Sequence, residues 1–236
     1  MCNIYFYEND ICIHYTCAKY FILIAAGCKG PKQFISKRPV NDVKSILLAG
    51  PFTDIRTIVT GNRQEFDYSL SFDVYTEMSK QIKTLIPDGV KIKTVMADSV
   101  TQRNILNAAE GIIKDIEKRS KAIRKVSIPD VLIKSLETAN EDFGFVILES
   151  GFARTRKKYT NHLLYNRAAV ILLSMGSVDY IPYKEGSMLI GFIVDRKNKN
   201  LAYYKKIIWA QRDPTEKIVI KAQLHDLMMS YFQHAK

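Results

Sequence analysis

The sequence predicts an α/β fold, a single mixed β-sheet with helices packed on it. Three observations lead there: short apolar runs closed by glycine or proline, intervening segments with apolar residues every three or four positions, and a late pair of β-rich runs around a polar turn. Alternating strand and helix in the first half favours parallel pairing, whereas the late pair has to be antiparallel. At 236 residues and 47% hydrophobic, the chain has the material for one well-packed core.

The first strand is "KSILLAGPF", 44–52, a buried run that Gly50-Pro51 stops. Leu70, Val74, Met78, Ile82 and Leu85/Ile86 then recur at helical spacing until Pro87-Asp88-Gly89. "VKIKTVMAD", 90–98, alternates as a second strand. Ser99 with Gln102 forms a capping box ahead of a helix whose inner face is Ile105, Ala109, Ile112 and Ile116. After a basic stretch, Pro129 takes the first helical position of a short helix that runs to Asn140. "FGFVILES", 143–150, is the most apolar strand, and 163–175 read as a helix. "SMLIGFIVD" and "LAYYKKIIW" flank 196–200 as a hairpin. Finally Asp213, Pro214 and Glu216 fit N-cap, N1 and N3 of a terminal helix with Ile218, Ala222, His225, Met229 and Phe232 on one face. The order is βα, βαα, β, hairpin, helix.

A net charge of +11 suits an anionic neighbour: nucleic acid, phospholipid headgroups or an acidic cell-wall polymer. No run approaches the roughly 18–20 consecutive apolar residues of a membrane-spanning helix, which excludes a polytopic membrane protein. All four cysteines, Cys2, Cys12, Cys17 and Cys28, precede residue 29. Their spacing is not that of a zinc site, and a thiol-free body fits an oxidising compartment. No P-loop, G-x-G-x-x-G, H-E-x-x-H, G-x-S-x-G or S-x-x-K motif is present. His162, His225 and His234 are the candidate acid–base groups, and Asp54 with Asp67 or Glu141 with Asp142 the candidate carboxylate pairs. His225 reads as a core histidine on the apolar helix face and the carboxylates as caps and solvated loops, so no catalytic residue, metal ligand or cofactor is assigned.

"KYFILIAAGCKG", 19–30, puts Lys19 before an apolar run that ends in small residues and Cys28. These are the parts of an export signal. Ala25-Ala26-Gly27-Cys28 resembles the lipobox of bacterial lipoproteins, whose cysteine is acylated and becomes the mature N-terminus. The expected organisation is an export signal over 1–28, a flexible basic tether over 29–43 with Gly30, Pro31 and Pro39, and one α/β domain over 44–236. The open alternatives are a start site placed too early and a buried strand at 20–25.

Two basic clusters are candidates for anionic contact: Arg154, Arg156, Lys157 and Lys158, flanked by Phe152 and Tyr159, and Arg196, Lys197 and Lys199 in the hairpin turn. They support a second reading, a soluble basic nucleic-acid-binding protein. Phe152, Tyr159, Tyr203, Tyr204 and Trp209 are candidates for a protein interface. An enzyme of unrecognised family is the third reading.

With the AAGC segment, three stretches carry a family resemblance: "KSILLAGPF", "DFGFVILESGFAR" and "GFIVDRKNKNLAYYKKIIW". Together they resemble, over about 44–233, the group holding the curli-secretion lipoprotein, the amino-terminal domain of the Tol translocation protein and the penicillin-binding-protein activator lipoproteins. The resemblance implies a non-enzymatic envelope protein, facing the periplasm from the outer membrane through acylated Cys28, that binds or assembles an envelope protein or peptidoglycan. It carries over no functional residue besides Cys28. The chain has no long amphipathic β-ribbon for a pore.

Overall fold

The computed structural model describes residues 4–7, 10–13, 33–35, 43–59, 63–95, 98–118, 123–154 and 184–232. Among the described residues, strands β1 (Ile4–Tyr7) and β2 (Asp10–Ile13) pair with each other alone, antiparallel. The remaining strands form one mixed seven-stranded sheet: β3 (Gln33–Ile35), β4 (Ser45–Ile58), β5 (Gln64–Phe66), β6 (Lys91–Thr94), β7 (Phe143–Arg154), β8 (Glu185–Asp195) and β9 (Asn200–Ala210). Their order is β3-β9-β8-β7-β4-β5, with β6 beside the first half of β4. β4 pairs parallel with β6 and β7, and the other neighbours are antiparallel. The predicted single mixed sheet is therefore the observed one.

Among the described residues, four helices cover the sheet, and strand alternation decides which residues each pair meets. Phe143, Phe145 and Ile147 of β7 face one side, where they share a core with Val74, Met78 and Ile82 of α1 (Tyr68–Leu85) and Leu224, Leu227 and Tyr231 of α4 (Lys217–Phe232). Val146 and, on β8, Ile190, Phe192 and Val194 face the other side. There they meet Ile105, Ala109, Ile112 and Ile116 of α2 (Ser99–Lys118) and Leu132, Ile133 and Leu136 of α3 (Asp130–Ala139). The inner faces expected for α1 and α2 are the buried ones.

Several local expectations are corrected. Gly50-Pro51 does not stop the first strand. β4 continues to Ile58, and the pairing with β7 shifts between Ala49 and Phe52, so the two residues make a bulge with a cis peptide bond. Gly50 has φ 101°, and a Cβ there would come within 2.8 Å of the Ile147 carbonyl oxygen. Of the strand expected over 90–98, the described residues form ladder at Lys91–Thr94, and 96–97 lie outside them. Asp98, not Ser99, caps α2: the Thr101 N–H donates to Asp98 Oδ1 at 2.7 Å. Pro129 is the N-cap of α3 rather than its first helical residue, and Asn140 closes that helix in the left-handed region at φ 52°.

The terminal helix starts four residues after Asp213, whose carboxylate instead holds a turn by accepting from the Thr215 N–H (2.9 Å) and hydroxyl (2.7 Å). Its inner face consequently moves. Val219, Ile220, Gln223, Leu224, Leu227, Met228 and Tyr231 are buried, whereas Ile218 is 75% exposed and His225 is exposed, not a core histidine. Within the expected tether, Gln33–Ile35 pair with 203–205, so the sheet begins ahead of residue 44. The helix expected at 163–175 lies outside the described residues.

Two glycines give opposite expectations. At Gly151 an added Cβ would meet Pro214 Cβ at 2.7 Å and the Gly186 carbonyl oxygen at 2.8 Å. Gly151→Ala should cost about 1–3 kcal/mol, a fall of about 2–4 °C in melting temperature per kcal/mol. Gly111, exposed on α2 with nothing within 4 Å, should gain about 0.5–1 kcal/mol as alanine. Thermal denaturation of the two variants against wild type reads both effects.

Candidate functional site

The expected contact residues part company in the structure. Tyr203 and Tyr204 are completely buried, one on each face of β9, and so cannot anchor an interface. The Tyr203 hydroxyl donates to the Leu227 carbonyl at 2.5 Å, and its ring lies 5.0 Å from that of Tyr231. Burial pushes both phenols up. Trp209 is half-buried against the α1/α4 core, and half-buried Phe152 lies over Gly186, where a Cβ would approach its ring to 2.9 Å. Arg154 ends β7. Arg156, Lys157, Lys158, Tyr159, His162, His234 and Cys28 lie outside the described residues.

In the hairpin turn, two of the three cations are already engaged. Arg196 Nη2 lies 2.8 Å and Lys197 Nζ 2.5 Å from the carboxylate of Asp142. Lys197 and then Arg196, against burial, hold that carboxyl below its ordinary range. Lys199, exposed at φ 46°, has no such acid among the described residues. Glu141, next in sequence, is 4% exposed and engages different partners: Lys93 Nζ at 2.6 Å and the hydroxyl of Ser45. Burial would raise its carboxyl, but Lys93 and Ser45 outweigh burial and the net shift is downward. Glu141 and Asp142 are thus ion-pair anchors at one end of the sheet, not an acid–base pair. Asp54 pairs with Arg56 at 2.8 Å, while Asp67 caps α1 through Leu70 N–H (3.1 Å) and accepts from Thr57 (3.0 Å), so these two carboxylates are not a pair either.

An apolar crevice of about 20 Å³ lies between the sheet and the α2/α3 layer, lined by Leu47, Ile105, Leu136 and Val146 among others. Its size suits a single water rather than a metabolite, and its lining offers little to hydrogen-bond.

Two features went unanticipated. Tyr68, Phe72 and Tyr75 form a row on the outer face of α1, 75%, 55% and 43% exposed. Successive ring centroids are 6.3 Å apart, with planes inclined by 12° and 26°. Spacings of four and three residues put the rings on one side of the helix. The signal was legible: once 70, 74, 78 and 82 are assigned inward, three aromatic residues are left outside. Phe66, 57% exposed, stands opposite Arg56 at the β4–β5 edge. The second feature is a buried polar cluster of Glu149, Ser187 and Gln223 beneath α4. Its signal is parity, since Glu149 continues the inward series 143, 145, 147.

No protein-family model matches the chain, and no curated protein matches it. Among solved structures, a PelC dodecamer from Paraburkholderia phytofirmans is similar over 84% of this chain and 94% of its own, at 6% identity and a TM-score of 0.35. A DUF4136 family protein from Bacteroides thetaiotaomicron is similar over 87% and 95%, at 10% identity and a TM-score of 0.27. A Helicobacter pylori protein described as a neuraminyllactose-binding hemagglutinin homolog is similar over 85% and 90%, at 10% identity and a TM-score of 0.30. Likenesses this distant carry no functional inference.

The Lys93–Glu141 pair makes a prediction with a definite sign. A carboxyl held below its ordinary value contributes stability that is complete above the unfolded-state value, about 4.3 for glutamate, and is lost as pH falls through the folded-state value. Lys93→Gln strands Glu141 in the interior and should cost about 1–2 kcal/mol at pH 7, below the figure for a fully buried pair because Lys93 is 55% exposed. In urea titrations the deficit should shrink as the buffer is acidified below the ordinary glutamate range.

Proposed function

We propose that this chain is a non-catalytic, lipid-anchored envelope protein that binds a periplasmic or cell-wall partner, most directly another protein, through the aromatic row of α1. The carrying observation is that row. Three adjacent rings left in water on a packed helix form the kind of apolar patch that soluble proteins keep for contacts, and tyrosine and phenylalanine are enriched at interfaces. Anchoring rests on the lipobox-like Ala25-Ala26-Gly27-Cys28.

Chain geometry supports the pairing of anchor and contact surface. Cys28 stands five residues before Gln33, so even an extended chain keeps the anchor within about 17 Å of β3. β3 is one end of the sheet. α1 packs on β4, four strands away, about 19 Å across the sheet. A protein tethered at the β3 edge would hold the Tyr68–Phe72–Tyr75 row four strands from the anchored edge, open to a partner. No described helix is long and apolar enough to cross a membrane.

The test is site-specific photo-crosslinking in intact bacterial cells producing the full chain. A photoreactive side chain at position 72 should give a discrete adduct, and one at exposed Glu137 on α3, across the sheet, should not. Replacing Tyr68 and Tyr75 by serine should remove the adduct while changing stability by no more than about 0.5 kcal/mol per exposed site. Equal adducts at both positions, or none at 72, would contradict the assignment.

A further inference from the structure

Strand alternation drives Glu149 inward to 3% exposure, beneath α4. Its Oε1 lies 2.6 Å from the hydroxyl oxygen of Ser187 on β8, which lies 2.8 Å from Oε1 of Gln223 on α4. Two contacts of hydrogen-bond length meet at a hydroxyl that owns one hydrogen. If the hydroxyl donates to the amide oxygen, which has no hydrogen to offer, the contact to Glu149 needs a hydrogen from the carboxyl itself.

The competing arrangement rotates the Gln223 amide, whose Nε2 has no partner among the described residues, to aim it at Ser187. Ser187 would then donate to an ionised Glu149. That leaves a buried anion with one neutral donor, which is costly unless a cation faces it.

Among the described residues, the cations on the surrounding elements are occupied or turned outward. On β9, Lys205 is held by Asp226 at 2.8 Å and by Ser230 of α4. Lys217 lies 4.0 Å from Glu77 of α1, Lys184 3.2 Å from Glu185, and on β4 Arg56 pairs with Asp54. Lys80, Lys83, Lys221 and His225 are exposed. Asp213 and Glu216, in the turn before α4, would only oppose a second negative charge. Burial accordingly lifts the Glu149 carboxyl well above its ordinary range, with Ser187 as the lesser, opposing influence.

We propose that Glu149 keeps its proton at neutral pH, and that this proton, relayed through the Ser187 hydroxyl to Gln223, fastens α4 to the sheet and makes its docking sensitive to alkali. The inference stands independently of the proposed binding function.

The sign follows from linkage. The folded state holds a proton that the unfolded chain releases above about pH 4.3, so the contribution is intact below that value and declines as pH rises toward the folded-state value. Glu149→Gln keeps a donor for Ser187 and cannot ionise. Relative to wild type, its folding equilibrium constant should rise up to tenfold per pH unit above about 4.3, then level off. Amide exchange over 217–232 should accelerate more in wild type than in the variant on going alkaline. A second measurement reads the proton directly: the infrared carbonyl band of a protonated carboxylic acid, present at pH 7 in the wild-type protein and missing from Glu149→Gln, reports Glu149 and excludes the other buried carboxyls, Glu141 and Asp195. That band at pH 7, with diverging stability profiles, supports the proposal. Absence of the band, or parallel pH profiles, overturns it in favour of the rotated amide and an ionised Glu149.

Discussion

Pairing β4 with β7 in parallel obliges the protein to cover both faces of its sheet, and most of the architecture follows from that obligation. Parallel strands at the centre of a sheet are buried on both sides, so their residues are apolar almost without interruption, as in Ile46–Leu47–Leu48 and Phe145–Val146–Ile147. Each such side chain contributes about 1.5–3 kcal/mol only if something packs on it, hence α1 and α4 on one face and α2 and α3 on the other. The bulge at Gly50-Pro51 belongs to the same solution. It adds one residue to β4, which brings Ile55 to the α1/α4 face already occupied by Ile46 and Leu48.

The α1/α4 face also takes polar groups inward, and these fix where the terminal helix sits. Tyr203 reaches the Leu227 carbonyl, Lys205 reaches Asp226 and Ser230, and Ser187 reaches Gln223. A satisfied hydrogen bond contributes only about 0.5–1.5 kcal/mol, but a buried group left without one costs more. α4 therefore has few alternative registers. A helix with apolar residues around much of its circumference, Ile218 and Val219 among them, would otherwise slide or rotate at little cost.

That composition is also why the sequence misled at α4. With Ile218, Val219 and Ile220 in a row, periodicity does not choose a face, and taking Pro214 as the first helical residue fixed the wrong one. Elements whose polar and apolar residues separate cleanly, such as α1, α2 and the β8–β9 hairpin, were readable. Gly50-Pro51 reads as a stop because the pair is a turn signal locally, and only the β7 partner shows that the strand continues. Tyr203 and Tyr204 were candidates for an interface, but adjacent strand residues face opposite ways, and here a packed layer lies on each side. Of the candidate site, the exposed row on α1 was visible in the residues left outside the inner stripe. The carboxylate at 149 was visible as parity but hidden by the apolar run around it.

Two features carry the proposed function, the exposed Tyr68–Phe72–Tyr75 row and the short stretch of sequence ending at Cys28. The second is the more consequential, because the proposed envelope location and the proposed anchoring at the β3 edge both rest on it. The most direct measurement is the mass of the mature chain, and of its N-terminal peptide, from the protein produced in a bacterium with a lipoprotein pathway. The account predicts a chain that begins at Cys28 and carries diacylglycerol, and a Cys28→Ala variant that is neither acylated nor cut there. A chain that keeps residues 1–27 and bears no lipid would contradict it.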